Sequence, residues 1–149
     1  MSAEENKAVV RRYFEEFHSS REYAILEEIM VSDLHEPTRQ VTHMVLTAFP
    51  DYRLTIEEQI AEEDKLATVW TGSGTHQGEW ESPAGSIAPT GREVRWLGTT
   101  TLRLSEGKIS DVIATCWDHL GILQQLGAVA VTEPRTGAYS IMQWYWTSG

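Results

Sequence analysis

Apolar residues in the first third of the chain recur every three or four positions, the spacing of one face of an α-helix. This pattern predicts a first helix over residues 3–18, opened by a serine and a glutamate spaced as a capping box. A short second helix follows, and a third begins at Thr38 and ends before Pro50. Residues 31–37 are predicted to form an extended or turn segment, because the residue before a proline disfavours helix.

From residue 51 onward the apolar period shortens to two, which is typical of a β-strand with one buried face. Residues 77–91 contain two prolines and three glycines and are predicted to form a loop. Leu120, Leu123 and Leu126 return to helical spacing, and Gly127 stands where a C-cap glycine belongs. The pattern therefore predicts a final helix after four long strands, over residues 51–61, 66–75, 93–104 and 109–117.

Helices that precede an antiparallel meander define an α+β fold. A strongly twisted sheet wrapped around a helix would form a cone whose interior suits a small molecule. We assign residues 1–127 to a single domain and residues 128–149 to a separate C-terminal tail. Six large aromatic or aliphatic side chains fall within residues 138–147 of the tail. That segment is expected to add a strand to a sheet edge or to pack on a partner subunit.

The charge balance narrows the range of partners. With 22 acidic and 12 basic residues, the chain has a formal net charge of −10. A surface of this sign repels nucleic acid and anionic membranes, so we expect neither as a partner. The single cysteine, Cys116, excludes an intrachain disulfide, and the polar N-terminus does not resemble a signal peptide. No apolar run approaches the roughly 20 residues of a membrane span. These features predict a soluble, cytoplasmic protein.

Five short motifs occur in a characteristic order: FPDYRLTI (49–56), GTHQG (74–78), APTG (88–91), EGKI (106–109) and WDHLGILQQLG (117–127). Together they resemble the SnoaL-like polyketide cyclases, also called ester cyclases, of the NTF2-like superfamily. The resemblance implies a cone-shaped α+β barrel, N-terminal helices on a curved antiparallel sheet, a deep pocket and a homodimer. It also implies cofactor-free aldol ring closure, with an aspartate on the last strand as general acid/base and histidines near it.

This sequence departs from that family at the positions that carry the chemistry. Thr115 aligns with the catalytic aspartate, and Thr100 aligns with the histidine of the neighbouring strand. A threonine hydroxyl cannot replace a carboxylate as a base near neutral pH. His35 matches a His-x-Pro motif that the family often carries at the pocket edge, so His35 becomes the candidate catalytic residue. Asp118 is a second candidate, although it is also expected to cap the last helix.

Strand parity places a set of apolar and hydroxyl side chains inside the cone. If Thr100 and Thr115 face inward, the residues two positions away on their strands do so as well. His76 and His119 are expected at the surface, and His43 is interpreted as either a buried histidine or a pocket contact. The predicted ligand pocket consists of Phe17, His35, Val69, Thr71, Trp96, Thr100, Ile113, Thr115 and Trp117.

Three functions remain open at this point. The first is an enzyme of the cyclase, isomerase or hydrolase kind that acts on a small hydrophobic molecule. The second is a binding protein with the same pocket but without chemistry, which the two threonines favour. The third is a dimeric interaction module that uses the aromatic tail. The histidines are scattered and the carboxylates do not pair at ligand spacing, so no metal site and no cofactor are predicted.

Overall fold

The computed structural model describes residues 2–82 and 84–130, so the predictions for most of the tail lie outside the described residues. The N-terminal helices form one layer of the fold. The helical elements are α1 (Ala3–Arg11), a π-helical segment (Arg12–Phe17), α2 (His18–Ser20), α3 (Ala24–Ile29), a 3-10 turn (Ser32–Leu34), α4 (His35–Ala48) and α5 (His119–Gln125).

The first helix begins with the predicted capping box. Ser2 Oγ accepts the Glu5 N–H at 3.2 Å, and the Glu5 carboxylate accepts the Ser2 N–H at 2.6 Å. Farther along, the π-helical segment replaces i,i+4 spacing with i,i+5 spacing. This change brings Tyr13 and His18 into contact, with ring centroids 4.8 Å apart. The helix therefore presents His18 on the same side as its buried aromatic residues.

The second layer is an antiparallel sheet in the order β1-β2-β5-β6, and β3 pairs with β4 as a separate hairpin. The hairpin lies within the stretch predicted to be a loop. The helices and this antiparallel sheet together form the α+β fold that the sequence predicts. The strands are β1 (Arg53–Glu62), β2 (Lys65–Thr75), β3 (Trp80–Ser82), β4 (Gly85–Ile87), β5 (Glu93–Ser105) and β6 (Lys108–Trp117).

Two tryptophans lie flat on glycines of the neighbouring strand at the centre of the sheet. Trp70 pairs with Gly98, and Gly72 pairs with Trp96. A Cβ atom at Gly98 would stand 2.2 Å from the Trp70 ring, and one at Gly72 would stand 2.3 Å from the Trp96 ring. Glycines inside a strand favour a bend or a bulge, but the β2–β5 register is regular at the β2 glycines. The glycines instead make room for the indoles.

One helix boundary and one strand register differ from the predictions. Helix α4 begins at His35 rather than at Thr38, because a proline in the first helical turn has no intrahelical N–H bond to lose. Strand β1 contains a register shift between Ile56 and Glu58, which turns Ile60 outward and leaves it 60% exposed.

The C-terminal helix forms where the sequence predicts it and packs against β5. Asp118 is its N-cap, and its carboxylate accepts the Gly121 N–H at 2.9 Å. Gly127 follows the helix with a φ of 72°, which glycine adopts without steric cost. In the part of the chain that the structure describes, no helix has both the length and the apolar character needed to cross a membrane.

Candidate functional site

A cavity of about 310 Å³ lies between the helices and the concave face of the sheet. Its walls come from the π-helical segment, α4 and the inward positions of β1, β2, β5 and β6. Three tryptophans, two tyrosines, four threonines and one histidine line it, together with apolar side chains. Within residues 2–82 and 84–130, none of the lining residues is an aspartate, glutamate, lysine or arginine. The cavity therefore suits a small and largely apolar molecule.

The shortest polar contact in the cavity wall joins His18 to Tyr52. His18 Nδ1 lies 2.5 Å from the Tyr52 hydroxyl oxygen, across the seam between the first helical hairpin and the start of β1. Burial, together with the positive charge of Arg21, lowers the pKa of His18 to about 3. Burial also raises the pKa of Tyr52 above its ordinary value. Both groups are therefore neutral at physiological pH.

This neutral pair leaves one donor and one acceptor for a ligand. If His18 Nδ1–H donates to Tyr52, the tyrosine O–H is free to donate and His18 Nε2 is free to accept. If Tyr52 donates to Nδ1, the roles reverse: Nε2–H donates and the phenolic oxygen accepts. Tyr13 packs against the His18 ring, and burial raises the pKa of Tyr13 to about 12. The uncharged pair therefore places a hydrogen-bond acceptor and a donor side by side in the cavity wall.

A second polar group lies on the sheet. Thr100 and Thr115 are directly paired across β5 and β6, and both line the cavity. Trp70 Nε1–H donates to Thr100 Oγ1 at 3.0 Å, and the two threonine oxygens lie 3.4 Å apart. These are the positions at which the family resemblance implies a histidine and an aspartate. The pair is a hydroxyl cluster without an ionisable group.

The structure brings together four of the residues predicted for the pocket. Trp96, Thr100, Thr115 and Trp117 line the cavity. Regular antiparallel pairing explains this agreement, since Thr100 faces Thr115 and Trp117 faces Gly98 on the inward side. The remaining five predicted residues lie elsewhere: Phe17, His35, Val69, Thr71 and Ile113.

The prediction assigned the wrong face of β2 to the cavity. Thr68 and Trp70 are the buried side chains, so Val69 and Thr71 point to the opposite face of the sheet. Thr71 Oγ1 there donates to the Glu57 carboxylate at 2.6 Å. Both faces of this strand carry uncharged residues, so the alternation of apolar and polar residues did not distinguish them.

Ile113 misses the cavity because of a bulge. Thr101 pairs with Ala114, and Leu102 pairs with Val112, which leaves Ile113 without a partner. Val112 takes the lining position, and Ile113 is 44% exposed. Phe17 is fully buried, but in the helical core rather than at the cavity surface.

His35 has a structural role in place of the predicted catalytic one. Its Nε2 lies 3.1 Å from both the Leu26 and the Met30 carbonyl oxygens. Carbonyl oxygens only accept, so Nε2 carries the hydrogen and ties the start of α4 to the end of α3. His35 does not line the cavity, and Asp118 is engaged in its helix cap. The geometry therefore gives no support for either residue as a base in the cavity.

The other histidines also depart from expectation. His76 is fully buried rather than at the surface, and its Nδ1 accepts the Thr90 N–H at 3.2 Å. Desolvation lowers the pKa of His76. His119 is not freely exposed, because it stacks between Trp80 and Trp117 at interplanar angles of 10°. His43 is exposed on α4 and does not contact the cavity.

The sequence pattern does not indicate the His18–Tyr52 pair. His18 follows Tyr13 by five residues, a spacing that a search for α-helical periodicity does not register. Tyr52 gave a usable signal, since it shares inward parity with Leu54. Among the described residues, no group of three or more His, Cys, Asp or Glu side chains could hold a metal ion.

Helices packed on a curved antiparallel sheet around an apolar cavity define the NTF2-like class of α+β folds. The sequence profile of the SnoaL-like polyketide cyclases matches residues 8–126, and the chain belongs to that family. No functionally curated protein matches the chain significantly.

Solved structures share this fold. The chain is similar to AclR, a proposed hydroxylase from Streptomyces galilaeus, with 26% identity, a TM-score of 0.72 and coverage of 87% of this chain and 100% of AclR. A proposed SnoaL-like polyketide cyclase from Jannaschia sp. CCS1 is 17% identical, with a TM-score of 0.74 and coverage of 86% and 95%. IdmH, a proposed polyketide cyclase from Streptomyces antibioticus, is 21% identical, with a TM-score of 0.69 and coverage of 82% and 98%.

Proposed function

We propose that the chain is an enzyme that binds a small hydrophobic carbonyl compound in the cavity and catalyses proton transfer on it, as in an aldol-type ring closure. The observation that carries this proposal is the 2.5 Å contact between His18 and Tyr52 at the wall of an apolar cavity. Membership of the cyclase family supports the reaction class. The proposal moves the acid/base role from His35 to this pair.

In the reaction, His18 Nε2 takes the proton from the carbon next to a ligand carbonyl. The Tyr52 hydroxyl donates a hydrogen bond to the enolate oxygen that forms. The enolate carbon then attacks a second carbonyl of the same molecule and forms the carbon–carbon bond of the ring. The protonated His18 returns its proton to the resulting alkoxide. The sequence of steps consumes no oxidant or reductant, so this proton transfer requires no redox cofactor.

Two pairs of variants test the acid/base roles. A thermal-shift screen of aromatic polyketides, steroids and terpenoids selects a ligand, and mass spectrometry then follows product formation. His18→Gln and Tyr52→Phe are expected to reduce turnover at least 100-fold, in line with the usual contribution of general acid–base groups. His43→Gln on the exposed face of α4 and Tyr23→Phe in the helical layer are the matched controls. Unchanged turnover in His18→Gln would refute the role of His18.

A second candidate function is ligand binding without chemistry. The low pKa of His18, about 3, supports this alternative because it makes the imidazole a weak base. The hydroxyl pair of Thr100 and Thr115 supports it as well, since neither group ionises near neutral pH. Ligand binding with no product above the uncatalysed rate would favour the binding protein over the enzyme.

We further propose that the chain forms a homodimer through the outer face of the sheet. Three adjacent cross-strand rows on β2, β5 and β6 are uncharged there: Ala67–Thr101–Ala114, Val69–Thr99–Cys116 and the pair Thr71–Leu97. Such a surface suits a partner that presents the same residues. Sedimentation equilibrium of Thr99→Arg tests this face, with Ser86→Arg in the β3–β4 hairpin as the control. A monomeric wild-type chain would refute the homodimer, and an unaffected Thr99→Arg dimer would refute the interface.

A further inference from the structure

The two cavity threonines carry two hydroxyl hydrogens, and the described protein groups around them can accept only one. Thr100 Oγ1 receives the Trp70 N–H at 3.0 Å and lies 3.4 Å from Thr115 Oγ1. An indole nitrogen only donates, so Trp70 cannot accept a hydrogen from either hydroxyl. Each threonine carries one hydroxyl hydrogen, and only one of the two can bridge the pair. Within residues 2–82 and 84–130, the other hydrogen has no further acceptor.

The direction of the hydrogen bond between the two threonines leaves this unused hydrogen on Thr100. Thr115 Oγ1–H donates to Thr100 Oγ1, and Thr100 is only 6% exposed. With Thr115 as donor to Thr100, the Thr100 oxygen accepts two hydrogens and both its lone pairs are occupied. The remaining capacity of Thr100 is then to donate, and the side chain lines the cavity.

We propose that Thr100 is a specificity-determining hydrogen-bond donor that selects an uncharged ligand bearing an acceptor oxygen, such as a ring ketone, over the corresponding hydrocarbon. The proposal rests on the proposed use of the cavity as a ligand site. Trp70 fixes the orientation of the hydroxyl, because its ring is held flat against Gly98.

The preference for an uncharged ligand follows from the lining. A buried carboxylate without a counter-ion is costly, and none of the described cavity residues is an arginine or lysine. A ketone oxygen can accept the Thr100 hydrogen bond without bringing a charge into the cavity.

The test compares two probes of the same bicyclic shape, 1-tetralone and tetralin, which differ in a carbonyl group. Quenching of tryptophan fluorescence reports binding, because Trp70, Trp96 and Trp117 line the cavity. We expect the preference for tetralone over tetralin to fall about three- to tenfold in Thr100→Val, the usual net value of one hydrogen bond. Thr100→Ser keeps the hydroxyl and is expected to keep the preference.

Thr68→Val is the matched control. Thr68 is fully buried on β2 opposite Thr100, its hydroxyl has no hydrogen-bond partner among the described residues, and it does not line the cavity. The infrared carbonyl band of bound tetralone adds a readout that a purely structural role would not move. It is expected at lower frequency in the wild-type, Thr68→Val and Thr100→Ser complexes than in Thr100→Val.

Two results would overturn the inference, and they are distinguishable. An unchanged probe preference and an unchanged carbonyl band in Thr100→Val would refute the donor role while leaving the cavity as a binding site. Failure of both probes to bind the wild-type chain would refute the donor role together with the cavity as a ligand site. Retention of the preference in Thr115→Val, with loss in Thr100→Val, supports Thr100 rather than its neighbour as the donor.

Discussion

Replacing His18 by glutamine should remove most of a pH dependence that this residue imposes on stability. In the folded chain the pKa of His18 is about 3, whereas an unfolded histidine titrates near 6.5. As the pH falls below 6.5, the unfolded chain binds a proton that the folded chain does not, so acid favours unfolding. The loss begins near pH 6.5 and is complete only when the pH reaches the folded pKa near 3.

The magnitude follows from the two pKa values. A pH of 5 lies about 1.5 units below the pKa of an unfolded histidine, so the unfolded residue is almost fully protonated. The folded His18 is still neutral at this pH. Each unit corresponds to about 1.4 kcal/mol, so His18 lowers the free energy of unfolding by about 2 kcal/mol between pH 7 and pH 5. The carboxylates contribute little in this window, because their ordinary pKa values lie near 4.

Urea unfolding at pH 7, 6 and 5 measures this difference directly. The wild-type chain should lose about 2 kcal/mol more than His18→Gln over that range. His76 is also buried with a lowered pKa, but it is present in both proteins and cancels in the comparison. His43→Gln, at an exposed position, should keep the wild-type slope. Equal slopes for the wild-type chain and His18→Gln, or an NMR titration of His18 near pH 6.5, would refute the reasoning.

Three further substitutions have defined outcomes. Gly98→Ala should cost about 1–3 kcal/mol in urea unfolding and weaken tetralone binding, because the new Cβ would stand 2.2 Å from the Trp70 ring; wild-type stability would contradict the packing argument. Asp118→Ala should lower the free energy of unfolding by about 1 kcal/mol without changing tetralone affinity, since it removes an N-cap; changed affinity would implicate the residue in binding. Tyr52→Phe should cost about 1–3 kcal/mol, because His18 Nδ1 loses its partner, and equal unfolding curves would rule out that hydrogen bond.

Sequence alone predicted the fold because local signals and the overall topology agree. The capping box of the first helix, the Asp118 cap and the strand order all follow from patterns that operate over a few residues. The inward set on β5 was also predictable, since Trp96, Thr100 and Leu102 alternate with partly or fully exposed positions in a strand without insertions along its β2 side. Family motifs then connected these elements into one architecture.

The site was predicted only where the backbone is regular. A one-residue bulge on β6 exchanges Ile113 for Val112, and a bulge on β1 turns Ile60 outward. Parity arguments assume a period of two, so every inserted residue reverses them from that point on. The π-helical segment has the same effect on a helix, since it moves His18 onto the aromatic face that α-helical spacing assigns to its neighbours.

Two of these irregularities lie at the cavity, and their location bears on the function. The π-helical segment contributes His18 to the cavity wall, and the β6 bulge contributes Val112. Regular elements would present other residues there. The positions at which the family resemblance implies acid/base residues, in contrast, fall on regular pairing at Thr100 and Thr115, and neither threonine is ionisable near neutral pH. In the proposed chemistry, the reactive group is the histidine that this irregular helix brings to Tyr52. The sheet then keeps the role of holding and orienting the ligand.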